Sequence, residues 1–98
     1  MKTGKRSAGK HIVVFIKPNG LVVNRLGVMS TRRVGNAVER NRQKRLVREA
    51  YRLMKPELSV GYDIVIIPRV PWQEPLMQEM HVDLHDNILR AMSKFDVS

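Results

Sequence analysis

The sequence predicts an α+β fold, a small mixed sheet with helices packed on it, in the order strand, strand, helix, strand, helix. Three observations lead there. Short runs at 11–16 and 62–67 are rich in β-branched residues, a further extended segment stands at 25–30, and Gly, Pro or Asn lie beside these runs, as they do at strand ends. A stretch without Gly or Pro, residues 37–55, separates the second run from the third. After Pro75 the apolar residues recur every three or four positions, which is the period of a helix lying on a core. At 98 residues the chain is one domain, 1–98, with room for one modest core.

Taken in order, residues 1–10 carry four basic side chains and two Gly and bury little, so they read as a basic arm, flexible or partly ordered. Residues 11–16 form an extended run ending at Lys17-Pro-Asn-Gly20, a turn signal. Residues 25–30 are expected to return as its antiparallel hairpin partner. Asn36 is placed to cap a helix over 36–54, because its side chain can accept an orphan backbone N–H, and Pro56 stops that helix. The apolar run 62–67 predicts a central strand buried on both faces, ended by Pro68 and Pro71. In the last helix Met77, Met80, Leu84, Ile88, Ala91 and Phe95 share one face, the Met residues acting as core filler. Trp72 is expected to cap the core beneath that helix.

Charge separates the function classes. Residues 1–55 hold 15 basic and 2 acidic side chains, whereas 56–98 hold 3 basic and 7 acidic. A field aimed from one half of a small domain suits a polyanion, with nucleic acid first and an anionic membrane surface second. There is no Cys, which excludes disulfides and thiolate metal sites. No apolar run approaches a membrane span and no signal-peptide pattern is present, so the expectation is a cytoplasmic protein without a membrane role.

The predicted helix 36–54 concentrates that charge. Stepping about 100° per residue from Arg40 brings Asn41, Lys44, Arg45, Arg48 and Arg52 within an arc of about 140°, with Arg42 beyond its edge. Leu46, Val47, Ala50, Tyr51, Leu53 and Met54 are read as the core-facing side. Ordinary solvated helix faces mix signs, because mixed charges give favourable pairs one turn apart, and here only Glu39 and Glu49 lie nearby. The excess of Arg favours phosphate, which the guanidinium fork can bind through two oxygens. Asn41 adds a group that both donates and accepts and so can meet a ribose or base edge. Arg32 and Arg33 precede the helix N-terminus, where the helix dipole and free N–H groups favour an anion.

No phosphate-loop glycine pattern or nucleophile elbow occurs, and no catalytic residue is assigned. His81 and His85 stand one helical turn apart near Asp83 and Asp86, but no third ligand is recognisable, so they read as a surface pair and the protein alone is assigned no metal site. Any phosphodiester chemistry would then depend on metal ions held elsewhere, by RNA phosphates.

The run Arg32-Arg-Val-Gly-Asn-Ala-Val-Glu-Arg-Asn-Arg-Gln-Lys-Arg-Leu-Val-Arg-Glu-Ala-Tyr-Arg52 resembles the signature of the protein subunit of bacterial ribonuclease P, whose hallmark is the order of Arg40, Asn41, Arg42, Lys44, Arg45 and Arg48. Residues 25–29 and 61–69 resemble the strands on either side of that signature, and the likeness extends over roughly residues 4–94. It implies a small partner of a catalytic RNA that, with Mg²⁺ held mainly by the RNA, removes the 5′ leader of precursor tRNA. The implied partners are that RNA and precursor tRNA, with no protein partner evident, and the protein alone is expected to be inactive. Arg32, Arg33, Asn36, Arg40, Asn41, Arg42, Lys44, Arg45, Arg48 and Arg52 are the implied RNA contacts. Phe15 and Lys17 are implied to line a leader cleft, where an aromatic can stack on a base; the other reading of Phe15 is core packing. The likeness further implies a left-handed strand–helix–strand crossover, against the usual hand. Family members carry an aromatic-bearing helix ahead of the first strand, while Met1-Lys-Thr-Gly-Lys-Arg6 already matches that strand. Two other readings of the charge stand beside this one: a general basic RNA-binding protein of ribosomal or chaperone type, and a DNA-binding module, which would lack a helix-turn-helix partner.

Overall fold

The structure is a computed structural model and describes residues 4–30, 35–70, 72 and 75–95. Among the described residues, four strands and two long helices follow in the order β1 (Lys5–Ala8), β2 (Ile12–Pro18), β3 (Arg25–Val28), α1 (Ala37–Met54), β4 (Tyr62–Pro68) and α2 (Met77–Ser93), with a 3-10 turn at Lys55–Glu57 after α1. The α+β class and mixed sheet are as expected, and the sheet has one strand more than the sequence suggested.

That strand is β1. Lys5–Ala8 was expected within a basic arm, yet it pairs antiparallel with β2, Lys5 opposite Ile16 and Ala8 opposite Val13. No apolar signal marks it, because polar contacts to α2 hold it instead. Ser7 is buried and its hydroxyl donates to Asn87 Oδ1 at 2.6 Å. The turn that follows is clamped by one carboxylate: Asp83 accepts from the backbone N–H of Lys10 at 3.0 Å and of His11 at 2.8 Å. Gly9 sits so close beneath α2 that a methyl group there would overlap the Asp83 and Asn87 side chains.

The expected hairpin between β2 and β3 does not form. The sheet order is β1-β2-β4-β3, so β4 lies between them, antiparallel to β2 and parallel to β3. All seven residues of β2 find partners on β4, from Ile12 opposite Pro68 to Pro18 opposite Tyr62. The intervening loop is tied to the start of β4 as well. Asn19 N donates to Gly61 O at 2.9 Å, and Tyr62 N donates to Asn24 Oδ1 at 2.9 Å. An apolar strand with two partners satisfies its backbone and its side chains together, which a two-stranded hairpin could not do. The parallel β3–α1–β4 unit is the crossover that places α1.

Both helices cover one face of the sheet. Ile12, Val14 and Ile16 of β2, Ile64 and Ile66 of β4 and Val28 of β3 meet Val47, Ala50, Tyr51 and Met54 of α1 and Met80, Leu84, Ile88 and Ala91 of α2 in one buried cluster. Trp72, Met77 and Phe95 pack at its margin, as expected of them. β4 is central but not buried on both faces: Ile64, Ile66 and Pro68 are enclosed, while Val65 and Ile67 on the other face are half-buried. Met54 and Met80 are fully enclosed, consistent with core filling.

Candidate nucleic-acid interface

The helix that carries the charge begins where the sequence indicated. Asn36 Oδ1 accepts from Glu39 N at 2.9 Å, capping α1, and Glu39 lies in the first turn where the helix dipole favours a negative charge. The side-chain oxygen of Asn36 is therefore engaged in the cap, and its amide N–H groups remain for a ligand.

The two faces of α1 are offset from the sequence reading. Tyr51 is buried, and helical stepping sets it between Arg40 and Lys44, both of which are consequently half-buried along the seam between core and solvent. Burial lifts the Tyr51 phenol above its ordinary value. Leu53, expected in the core, is 58% exposed. Its place is taken by Gln43, a polar residue wholly enclosed, whose Oε1 accepts from the Ser30 hydroxyl at the end of the β3 segment. The signal missed was geometric: Gln43 falls on the same side as Val47, Ala50 and Met54, so its position outweighs its polarity.

Asn41, Lys44, Arg45 and Arg48 line one shallow concavity on α1, and Glu49 closes it at one side. The structure thus brings four of the expected residues together. Arg42 is exposed but stands outside that group. Arg52 is bound to Glu49 at 2.9 Å, so its charge is partly offset. Among the described residues, Arg40, Arg42, Lys44, Arg45 and Arg48 have no carboxylate within ion-pair distance. Their mutual repulsion is uncompensated within the described part of the fold, and an anion would relieve it. Arg32 and Arg33 lie outside the described residues.

Phe15 and Lys17 project from β2 on the face opposite Ile12, Val14 and Ile16, away from the helices. Phe15 is half-buried on that open face and is not part of the core cluster, which removes the core-packing reading. A second charged group, not foreseen from sequence, shares this face. Arg25 grips Asp63 with two bonds, Nε to Oδ1 at 2.6 Å and Nη2 to Oδ2 at 2.8 Å, and Asn19 Nδ2 donates to the same carboxylate at 3.1 Å. These bonds hold the Asp63 carboxyl below the ordinary carboxylate range and raise Arg25. Sequence spacing carries no sign of the pair, whose partners are 38 residues apart.

No group of three or more His, Cys, Asp or Glu suited to a metal ion occurs among the described residues. The His81 and His85 rings are 6.1 Å apart, and His85 faces Glu57 at 3.7 Å and Asp86 at 3.4 Å. No helix among the described residues is long and apolar enough to cross a membrane.

Comparison with known proteins places this geometry. The chain is 47% identical over 66 residues to the ribonuclease P protein component of Natranaerobius thermophilus, covering 67% of this chain and 57% of that protein. It is 36% identical over 95 residues to the component from Thermotoga petrophila, covering 97% of this chain and 81% of that protein. Among solved structures, the Staphylococcus aureus RNase P protein superposes with a TM-score of 0.79 at 30% identity, covering 92% of this chain and 83% of that one. The Thermotoga maritima protein gives 0.69 at 34%, covering 91% and 81%. Since the family model described as Ribonuclease P also matches residues 1–92, nearly the whole chain including the strands that frame the basic helix, the chain belongs to the ribonuclease P protein family.

Proposed function

We propose that this chain is the protein subunit of a ribonuclease P, binding a catalytic RNA through the outer face of α1 and assisting Mg²⁺-dependent removal of the 5′ leader from precursor tRNA in the cytoplasm. The observation that carries the proposal is the cationic concavity of Asn41, Lys44, Arg45 and Arg48, whose cations have no ion-pair partner among the described residues while Glu49 at its edge is held by Arg52, on a helix whose other side is locked into the core. Such a face docks on RNA as a rigid unit, so little ordering entropy is lost beyond that of the side chains.

Arg45 and Arg48 would bind phosphate oxygens through their guanidinium forks, Lys44 would add a point charge, and Asn41 would meet a ribose or base edge. Arg40, Arg42 and Arg52, with Asn36 at the cap and Arg32 and Arg33 before it, would extend the contact. The Mg²⁺ would be held mainly by RNA phosphates, a reading supported by the lack of any group of three or more His, Cys, Asp or Glu suited to a metal ion among the described residues. The protein's contribution to the reaction is to offset the repulsion between catalytic RNA and substrate, which otherwise demands a high salt concentration.

Reconstitution tests this. Added to its cognate catalytic RNA, the protein should restore precursor-tRNA cleavage at Mg²⁺ concentrations where the RNA alone is slow, and the protein alone should cleave nothing. Cleavage by the protein alone, or no effect on the RNA, would refute it.

A further inference from the structure

The proposed RNA face makes no use of the side of α2 that meets the 3-10 turn at Lys55–Glu57. Two of the chain's three His stand there, His81 and His85, one helical turn apart, with ring centres separated by 6.1 Å and planes inclined by 31°. Residues so spaced on a helix have Cβ atoms about 5–6 Å apart, so rotation of the side chains alone lets one nitrogen of each ring reach a common ion.

Both ring nitrogens of His85 face carboxylates. Asp86 Oδ1 is 3.4 Å from Nδ1, and Glu57 Oε2 is 3.7 Å from Nε2. A carboxylate at Nδ1 holds the ring proton on that nitrogen and leaves the lone pair of Nε2 directed at Glu57, which is how an acidic neighbour orients a metal-binding imidazole. From sequence the pair lacks a third ligand; the fold brings one from the turn that follows α1. The side chains stand short of convergence, since nitrogens sharing one ion lie no more than about 4.2 Å apart and a carboxylate oxygen must come within about 2.2 Å of the metal. No finished group of three ligands is therefore present, and an ion would draw this one closed. The surroundings favour a cation, because residues 56–98 hold 7 acidic and 3 basic side chains. A proton on Nε2 would serve Glu57 alone, whereas a divalent ion there also reaches His81 and offsets the charge of both carboxylates.

We propose that His81 and His85, with Glu57 as the closing carboxylate and Asp86 orienting His85, form a site for a divalent transition-metal ion of the Zn²⁺ class. Three protein ligands leave the fourth position of a tetrahedron to water. Imidazole nitrogen suits Zn²⁺, Ni²⁺ and Cu²⁺, whereas Mg²⁺ prefers six oxygens, so this ion is distinct from the Mg²⁺ of RNA cleavage. Bound there, it ties α2 to the turn that ends α1 and stabilises the fold behind the RNA-binding face.

The test uses the full chain without RNA, whose phosphates would compete for the metal. Isothermal titration with Zn²⁺ should show one ion bound per chain, and Mg²⁺ at the same concentration should give no saturable heat. Zn²⁺ at about 100 times its dissociation constant should raise the melting temperature by about 10 °C. His81→Ala and His85→Ala should each weaken Zn²⁺ binding by about 100-fold, and Glu57→Gln and Asp86→Asn by about tenfold, with the circular dichroism of the metal-free variants unchanged. His11→Ala, which alters the remaining His, should bind as the wild type does. Cu²⁺ in place of Zn²⁺ should give the electron-spin signature of two coordinated imidazoles, reduced to one in either single His variant, a readout that a change in helix packing would not produce. No saturable Zn²⁺ binding to the wild type, a Cu²⁺ signature without two imidazoles, or binding that survives in the His81→Ala/His85→Ala double variant would overturn the site.

Discussion

Replacing Arg48 and Arg52 one at a time separates a docking face from a merely charged one. The residues are one helical turn apart on α1 and have the same chemistry. Arg48 lines the concavity without a bond to a carboxylate, whereas Arg52 holds Glu49 at 2.9 Å. A hydrogen bond from a charged donor contributes about 1.5–3 kcal/mol, so Arg48→Ala should weaken binding to the catalytic RNA by about 10- to 100-fold. Arg52 must first leave Glu49, and that pair is itself solvent-exposed, with side chains 70% and 48% accessible. Exchanging a bond to carboxylate for a similar bond to phosphate gains little, so Arg52→Ala should cost less than about threefold. Titration of labelled catalytic RNA by fluorescence anisotropy, between about 50 and 200 mM salt, also gives the salt slope. Arg48→Ala should reduce it by about 0.9 and Arg52→Ala by much less. Equal losses of affinity and slope at the two positions would show that total charge, and not the arrangement on α1, governs binding.

Gly9→Ala should destabilise the domain by about 1–3 kcal/mol, lowering the melting temperature in a calorimetric scan, because the methyl would push aside the Asp83 carboxylate and Asn87 amide that bind Lys10 N, His11 N and Ser7; an unshifted melting temperature would show that these side chains yield at no cost. Ile66→Ala, which empties the centre of the core under both helices, should cost about 2–5 kcal/mol in denaturant melts without changing the salt slope of RNA binding. Asp63 governs part of the acid sensitivity: with its folded pKa below the unfolded value, its ion pair adds stability above the ordinary carboxylate range. That stability is lost as pH falls below that range and through the lowered folded value. Asp63→Asn should therefore flatten the acid limb of a stability–pH profile while leaving RNA binding through α1 intact, and an unaltered limb would contradict the assignment.

The extent of what could be read beforehand differs between elements for physical reasons. The basic helix was legible because capping, the absence of Gly and Pro and charge order are local properties, and the Asn36 cap and the Ala37–Met54 span bear that out. The division of its faces was legible only approximately. Leu53, expected in the core, is exposed, and Gln43, assigned to neither face beforehand, is enclosed, since burial depends on which arc the sheet and α2 cover, and side-chain polarity does not set that arc. β1 left no signature because its bonds run from Ser7, Lys10 and His11 to Asn87 and Asp83, more than 70 residues away in sequence.

By itself the sequence determined the element types, the one-sided charge of the first half and the ordered Arg-Asn-Arg helix, because periodicity, capping and composition act within a few residues of chain. Tertiary structure alone decided that β4 separates β2 from β3, that Arg25 is spent on Asp63, and that Glu57 faces His85. Strand order and register are settled by which pairing satisfies the backbone of the whole sheet and encloses the most apolar surface, a competition among distant segments that no local pattern records.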